Sequence, residues 1–278
     1  MDRYTRRTFL RNFPVACVLG AGTTAFTVSS PAERASTDPR VIGHRGCAAE
    51  LPENTLEAVD RAPAVADAIE VDLRRASSGE IVVIHDATVD RVTDGTGAVA
   101  DRSLEELRSL SVLETGEPVP TLEEVLETVP ASVGLVLDLK VEGIASDVDE
   151  LLAAFDRDAL LSSFSPSILR EVRETGRESA LILREPWLGR RFRAVVARTS
   201  VPIYPRMRVD QWLTTAAELD CVAIHPRFEL CLRTDLVERA HDRGLRVEPW
   251  TITRSSEAAR LRSLGVDGLI SDICSPLS

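Results

Sequence analysis

Lysine is almost absent from this chain: of 33 basic residues only Lys140 is a lysine, so it stands out against an arginine-rich, acid-rich background. Aromatic residues are sparse as well, at 4% of the sequence, which leaves little material for the aromatic anchors that hold proteins at a membrane surface and favours a soluble substrate. Excess positive charge is also lacking. A formal net charge of −11 excludes the broad basic face that nucleic-acid binding requires. A small anionic substrate would therefore need its own local cationic pocket. The five cysteines form no Cys-x-x-Cys pair and no Cys/His cluster, which argues against a zinc centre; Cys47, Cys221, Cys231 and Cys274 remain available for disulfides of unread pairing. Internal repeats and low-complexity tracts are missing too. The apolar run from Phe13 to Val28, about 16 residues rich in Gly, Ala and Thr, is too short and too weakly apolar to span a bilayer well.

What precedes that run gives it a meaning. Thr5-Arg6-Arg7-Thr8-Phe9-Leu10-Arg11 followed by a weakly apolar stretch reads as a twin-arginine export signal. Residues 1–35 are assigned to signal and linker, and 36–278 to the working domain. The protein is thus expected to meet the twin-arginine export machinery and to reside outside the cell or in its envelope. Contact with a membrane surface stays open. A chain of 278 residues has the length of one α/β barrel, commonly about 250 residues.

The rhythm of the remainder supports that architecture. Strand candidates are Val41–Gly43, Ile69–Leu73, Val133–Lys140, Ala159–Phe164, Ser179–Leu183, Cys221–His225, Leu245–Trp250 and Val266–Ser271, with amphipathic segments between the later ones. Eight such strands imply a TIM-type (β/α)8 barrel. The run Ile81–His85 is set aside as the return arm of a hairpin on Ile69–Leu73, because a hairpin partner cannot be a parallel neighbour. A two-residue turn at Ser78-Gly79 would set His85 directly opposite Asp72. Helix starts are read at Asn54-x-x-Glu57, Ser103-x-x-Glu106 and Thr121-x-x-Glu124. The stretch Glu185 to Asp220 is the least legible; within it Val201–Pro205 fits a strand, a loop or a lid.

Polar residues gather where barrel catalysis needs them, at the carboxyl ends of strands. His44-Arg45 ends the first strand, Glu70 and Asp72 alternate onto one face of the second, and Asp138 and Lys140 do so on the third. Glu70, Asp72 and Asp138 make an oxygen-rich set suited to a hard divalent cation, Mg²⁺ or Ca²⁺. Arg45 and Lys140 add charge for a phosphate diester. His44 and His85 supply an acid and a base. His225 and His241 are read without a functional role, one as a strand-end residue and the other as an exposed helical one.

His44-Arg45-Gly46, Pro52-Glu53-Asn54-Thr55, Glu70-Val71-Asp72, His85-Asp86, Pro120-Thr121-Leu122-Glu123-Glu124 and the closing Gly265-Val266-Asp267-Gly268-Leu269-Ile270-Ser271-Asp272 resemble the glycerophosphodiester phosphodiesterases. The resemblance is dense from Val41 to Lys140 and returns from Val247 to Asp272. It implies a phosphatidylinositol-phospholipase-C-like barrel with a small cap insertion at about 87–120, and metal-dependent hydrolysis of glycerophosphodiesters to glycerol 3-phosphate and an alcohol. By the same resemblance His44 and His85 are the catalytic pair, Arg45, Lys140 and Trp250 contact substrate, and Glu70, Asp72 and Asp138 hold the metal. The family usually has Glu where this chain has Asp138, one methylene shorter. The alternatives are a sphingomyelinase D-like phospholipase on the same barrel and a non-catalytic phosphate- or lipid-binding barrel; the intact histidine pair speaks against the second.

Overall fold

Apolar runs bounded by Gly, Pro and charged residues become strands in the computed structural model, which describes residues 38–183, 206–275 and 277. The twin-arginine segment and Val201–Pro205 lie outside the described residues. The strands are β1 (Arg40–His44), β2 (Ala68–Arg75), β3 (Ile81–Val83), β4 (Gly134–Leu139), β5 (Leu160–Ser163), β6 (Ser179–Ile182), β7 (Ala223–His225), β8 (Arg246–Val247) and β9 (Gly268–Ser271). All but β3 form one parallel series in the order β8-β7-β6-β5-β4-β2-β1-β9. The two ends of that series meet: Asp267 N–H donates to the Val247 carbonyl at 2.9 Å, Ile270 N–H to Pro249 and Ile252 N–H to Ile270, both at 3.0 Å. The result is the TIM-type (β/α)8 barrel expected from the sequence.

Alternation along the strands sorts side chains into two layers. Ile69, Val71, Leu137 and Leu139 face outward into the main core beneath the helices. Ile42, Ala68, Val136, Ala180, Ala223 and Ile270 face the lumen. Three of those six are alanines, so the interior keeps room for a cavity. The lumen parity also turns Glu70, Asp72 and Asp138 inward.

Helices close the units: α1 (Leu56–Arg61), α2 (Leu104–Arg108), α3 (Leu122–Thr128), α4 (Ala145–Ala154), α5 (Pro166–Thr175), α6 (Arg206–Glu218), α7 (Phe228–Arg233), α8 (Leu236–His241) and α9 (Ser255–Arg262). Capping boxes at Ser103/Glu106 and Thr121/Glu124 start α2 and α3 as their spacing predicts. Two expectations need correction. The cap of α1 is Thr55, whose hydroxyl accepts from the Ala58 N–H, and Asn54 turns instead to the barrel interior. The hairpin pairs Leu73 with Val83 and Arg75 with Ile81, so Ile84, not His85, lies against Asp72. Its loop holds three residues, Ser77-Ser78-Gly79, closed by the Ala76 N–H to Glu80 carbonyl bond and by Gly79 at φ +110°. The extra residue shifts the register by one. Beyond β3 the insertion builds a hydrophobic cluster of its own, in which Val89, Val92, Val99, Leu107, Val112 and Val119 pack on Val82 and Ile84 of the hairpin.

A disulfide joins Cys47, in the turn after β1, to Cys274, three residues past β9. Cys221 and Cys231 are buried free thiols.

Candidate active site

The turn after β1 sets the first groups in place. Arg45 and Gly46 both adopt positive φ, +52° and +78°, which bends the chain over the barrel mouth. A Cβ on Gly46 would come within 2.6 Å of the Ala58 Cβ, so only glycine lets α1 pack this close. The bend points the Arg45 N–H at Glu70 Oε2, 2.9 Å away, and carries its guanidinium to Asp72, 3.1 Å from Nε to Oδ2.

Glu70, Asp72 and Asp138 converge on the floor of this mouth. Asp72 and Asp138 are paired across β2 and β4, and all three carboxylates are buried, with ligand atoms within 4.8 Å of one another. Lys140 bridges Asp72, at 2.8 Å, and Asp138. Asn54 completes the support of Asp72, donating from Nδ2 to Oδ2 at 2.8 Å. Oδ1 of Asp138 is buried and accepts no hydrogen bond, and Oδ1 of Asp72 meets only the Lys140 ammonium. Three buried carboxylates, one of them with an oxygen that no donor meets, fit a hard divalent cation.

The electrostatics say the same. Burial, then the nearby Asp72 charge, pushes Glu70 up to about 7. Burial likewise raises Asp138, against the pull of Lys140. Burial opposes ionisation of Asp72 too, yet Lys140 and Arg45 hold it well below the usual carboxylate range. Two of the three acids thus resist ionisation until more positive charge arrives.

The histidines stand at the rim, each oriented by a carboxylate. His44 Nδ1 donates to Asp272 at 2.6 Å, and its Nε2 lies 3.9 Å from Glu70. Burial disfavours its charged form, but Asp272 and Glu70 outweigh that and raise His44. His85 Nδ1 donates to Asp86 at 2.6 Å, while Arg74 grips its backbone carbonyl through Nε at 3.0 Å and Nη2 at 2.9 Å. Despite its register it thereby reaches the cavity. Burial lowers His85, with Asp72 pulling the other way and Arg45 and Lys140 reinforcing the drop. A ring of ion pairs ties the two sides together: Asp86 to Arg91, Arg91 to Glu53 at 2.8 Å, and Glu53 to Arg45 at 2.8 Å.

All of this opens into one cavity of about 330 Å³. Seven of the eight residues singled out from the sequence line it, and Asp72 lies beneath them, bonded to Arg45 and Lys140. Trp250 lines the cavity as well, its indole N–H donating to the His225 carbonyl at 2.9 Å and its ring edge-on to Phe164 with centroids 5.6 Å apart. Sequence reasoning missed Glu53, Asn54, Arg91 and Asp272 as parts of the site. Glu53 and Asn54 were hidden by a capping pattern, whereas Asp272 stood in a quoted motif without a role. His225 is at a strand end, as read, but it is buried and lines the cavity. His241 ends α8 half-buried against Asp267 at 2.8 Å.

Known proteins resemble this chain in sequence and in fold. The family model described as glycerophosphoryl diester phosphodiesterase family matches residues 44–274. A glycerophosphodiester phosphodiesterase of Caldanaerobacter subterraneus subsp. tengcongensis is 33% identical over 248 residues, covering 84% of this chain and 93% of that protein. Human glycerophosphodiester phosphodiesterase 1 is 33% identical over 181 residues, 59% of this chain and 53% of that protein. Among solved structures, an Oleispira antarctica phosphodiesterase in complex with the product sn-glycerol-3-phosphate superposes with a TM-score of 0.70 at 26% identity, covering 86% of this chain and 95% of the other. The chain belongs to the glycerophosphoryl diester phosphodiesterase family and is an enzyme of that class.

Proposed function

We propose that the protein hydrolyses glycerophosphodiesters to glycerol 3-phosphate and an alcohol, with Mg²⁺ or Ca²⁺ held by Glu70, Asp72 and Asp138. The observation that carries this reading is the convergence, at one barrel mouth, of three buried carboxylates, two cations and two carboxylate-oriented histidines. When bound, the cation supplies Lewis acidity at the phosphoryl oxygens. Arg45 and Lys140 bind the non-bridging oxygens of the diester and stabilise the charge that grows on them during displacement at phosphorus. Of His44 and His85, one takes the proton from the attacking oxygen and the other gives a proton to the departing alkoxide. Asp272 and Asp86 fix the tautomers, so that in each ring Nε2 is the nitrogen that works. Asp138, one methylene shorter than the family's usual Glu, still faces the cluster because its register with Asp72 brings it there.

Export through the twin-arginine machinery belongs to the same proposal. A disulfide between Cys47 and Cys274 supports a life in an oxidising compartment. Among the described residues no helix is long and apolar enough to cross a membrane. The products decide the reaction. Phosphorus NMR of glycerophosphocholine incubated with the protein is expected to yield glycerol 3-phosphate; phosphocholine in its place would mean that the other ester bond is broken, and bound but unreacted diester would favour the binding-barrel reading.

A further inference from the structure

Among the described residues, the acid/base and metal chemistry leaves one buried titratable group in the cavity unused. His225 is 1% exposed and ends β7. Its neighbour across the ladder is Glu248, one position past the Ile224–Val247 pair, and the His225 Nε2 lies 2.9 Å from Glu248 Oε2. Glu248, fully buried, is gripped from the other side by Arg40 of β1, through Nε at 3.1 Å and Nη2 at 2.7 Å. Between them β9 carries Gly268, where a Cβ would come within 3.0 Å of Glu248 Cγ and 3.3 Å of Arg40 Cγ. The missing side chain lets Glu248 and Arg40 meet across that strand.

This chain of contacts fixes the ring. With Glu248 paired to Arg40 and held as a carboxylate, down to about 2 by His225 and Arg40 in spite of burial, Nε2 carries the proton that Glu248 accepts. Nδ1 makes no hydrogen bond among the described residues, and the imidazole lines the same cavity as His44. Trp250 is locked to the same residue through the His225 carbonyl, so the indole and the imidazole line one cavity, with the Arg227 guanidinium over the indole ring 5.5 Å from its centroid. An aliphatic chain bearing a hydroxyl matches that pair: carbon against the indole, O–H toward the nitrogen.

Resting on the glycerophosphodiester reading above, we propose that His225 is a specificity-determining residue, accepting through Nδ1 a hydrogen bond from a hydroxyl of the glycerol arm, with Glu248 as its positioning residue. A site with a buried acceptor of this kind discriminates against analogues that lack the hydroxyl, since the nitrogen is then left unpaired. A purely structural His–Glu–Arg link would show no such discrimination.

The test compares glycerol 3-phosphate with ethyl phosphate, which keeps the phosphate and lacks the hydroxyls, by calorimetric titration of the full chain with saturating Mg²⁺. Wild type is expected to prefer glycerol 3-phosphate by roughly tenfold. His225→Ala is expected to bring that ratio close to one, and His225→Gln, which keeps an acceptor, to restore part of it. If His225→Ala does not fold, the ratio in His225→Gln and in Glu248→Gln decides, each expected between wild type and one. A wild type without preference, a ratio undiminished from wild type in the variants, or equal losses for both ligands would overturn the proposal. Turnover of glycerophosphocholine by wild type reports on the hydrolase reading separately. Its absence alongside the expected ratios would overturn that reading and leave the role of His225 standing.

Discussion

Asn54 holds Asp72 from two sides: its amide nitrogen donates to Oδ2 at 2.8 Å, and its carbonyl oxygen accepts from the Asp72 N–H at 3.3 Å. Such support of a metal-binding carboxylate is worth about 10–100-fold in metal affinity. Asn54→Ala is therefore expected to weaken Mg²⁺ or Ca²⁺ binding by a factor in that range, read by calorimetric titration, while α1 keeps its Thr55 cap. His44→Ala and His85→Ala are expected to lower kcat by about 10²–10⁴-fold each, with glycerol 3-phosphate still bound. The residues that point into the lumen were legible because strand parity and strand ends are local properties. Asn54 was not, since an Asn three residues before a Glu looks like a cap whether or not its side chain has a distant partner. His225 escaped for a related reason: nothing local says that Glu248 and Arg40 wait beside it.

At the scale of elements, the hairpin shows what a single residue of loop does. The expected two-residue turn and the observed three-residue loop differ by one register step, yet His85 still lines the cavity because Arg74 and Asp86 hold its backbone and ring. The strands were read within a residue or two where the apolar run is long, as in β2 and β4. The two-residue β8 and helix α6 were not, the one because its inward positions are polar and the other because it lies within the stretch least marked by periodicity. The disulfide could not be paired from spacing, since Cys47 and Cys274 are 227 residues apart. It links the turn that carries His44 and Arg45 to the segment just after Asp272, the partner of His44. Removing it with Cys47→Ala and Cys274→Ala is expected to cost about 2–4 kcal/mol, seen as a lower denaturant midpoint, and to lower kcat by loosening the His44–Asp272 contact. An unchanged midpoint would show that the barrel closes equally well without it.

For the molecule as a whole, the buried carboxylates make folding, protons and metal compete. Glu70 sits at about 7 in the folded chain, above its ordinary 4.5, so its contribution to stability is fully present below about pH 4.5 and is lost as pH rises through about 7. On the proposed function, a divalent cation bound at Glu70 would take the place of that proton. The rise in Tm on adding Mg²⁺ or Ca²⁺ is therefore expected to be larger near pH 7.5 than near pH 5, measured by scanning calorimetry against chelator. Equal gains at both would place the cation away from Glu70. Metal-dependent hydrolysis at this site is tested most simply by the rate of glycerol 3-phosphate release from glycerophosphocholine with Mg²⁺, Ca²⁺ or chelator, in wild type and in Glu70→Gln and Asp138→Asn. Turnover is expected to vanish with chelator, to return with the cation, and in both variants to need far more of it. Undiminished turnover in chelator by the folded wild-type protein would contradict metal dependence.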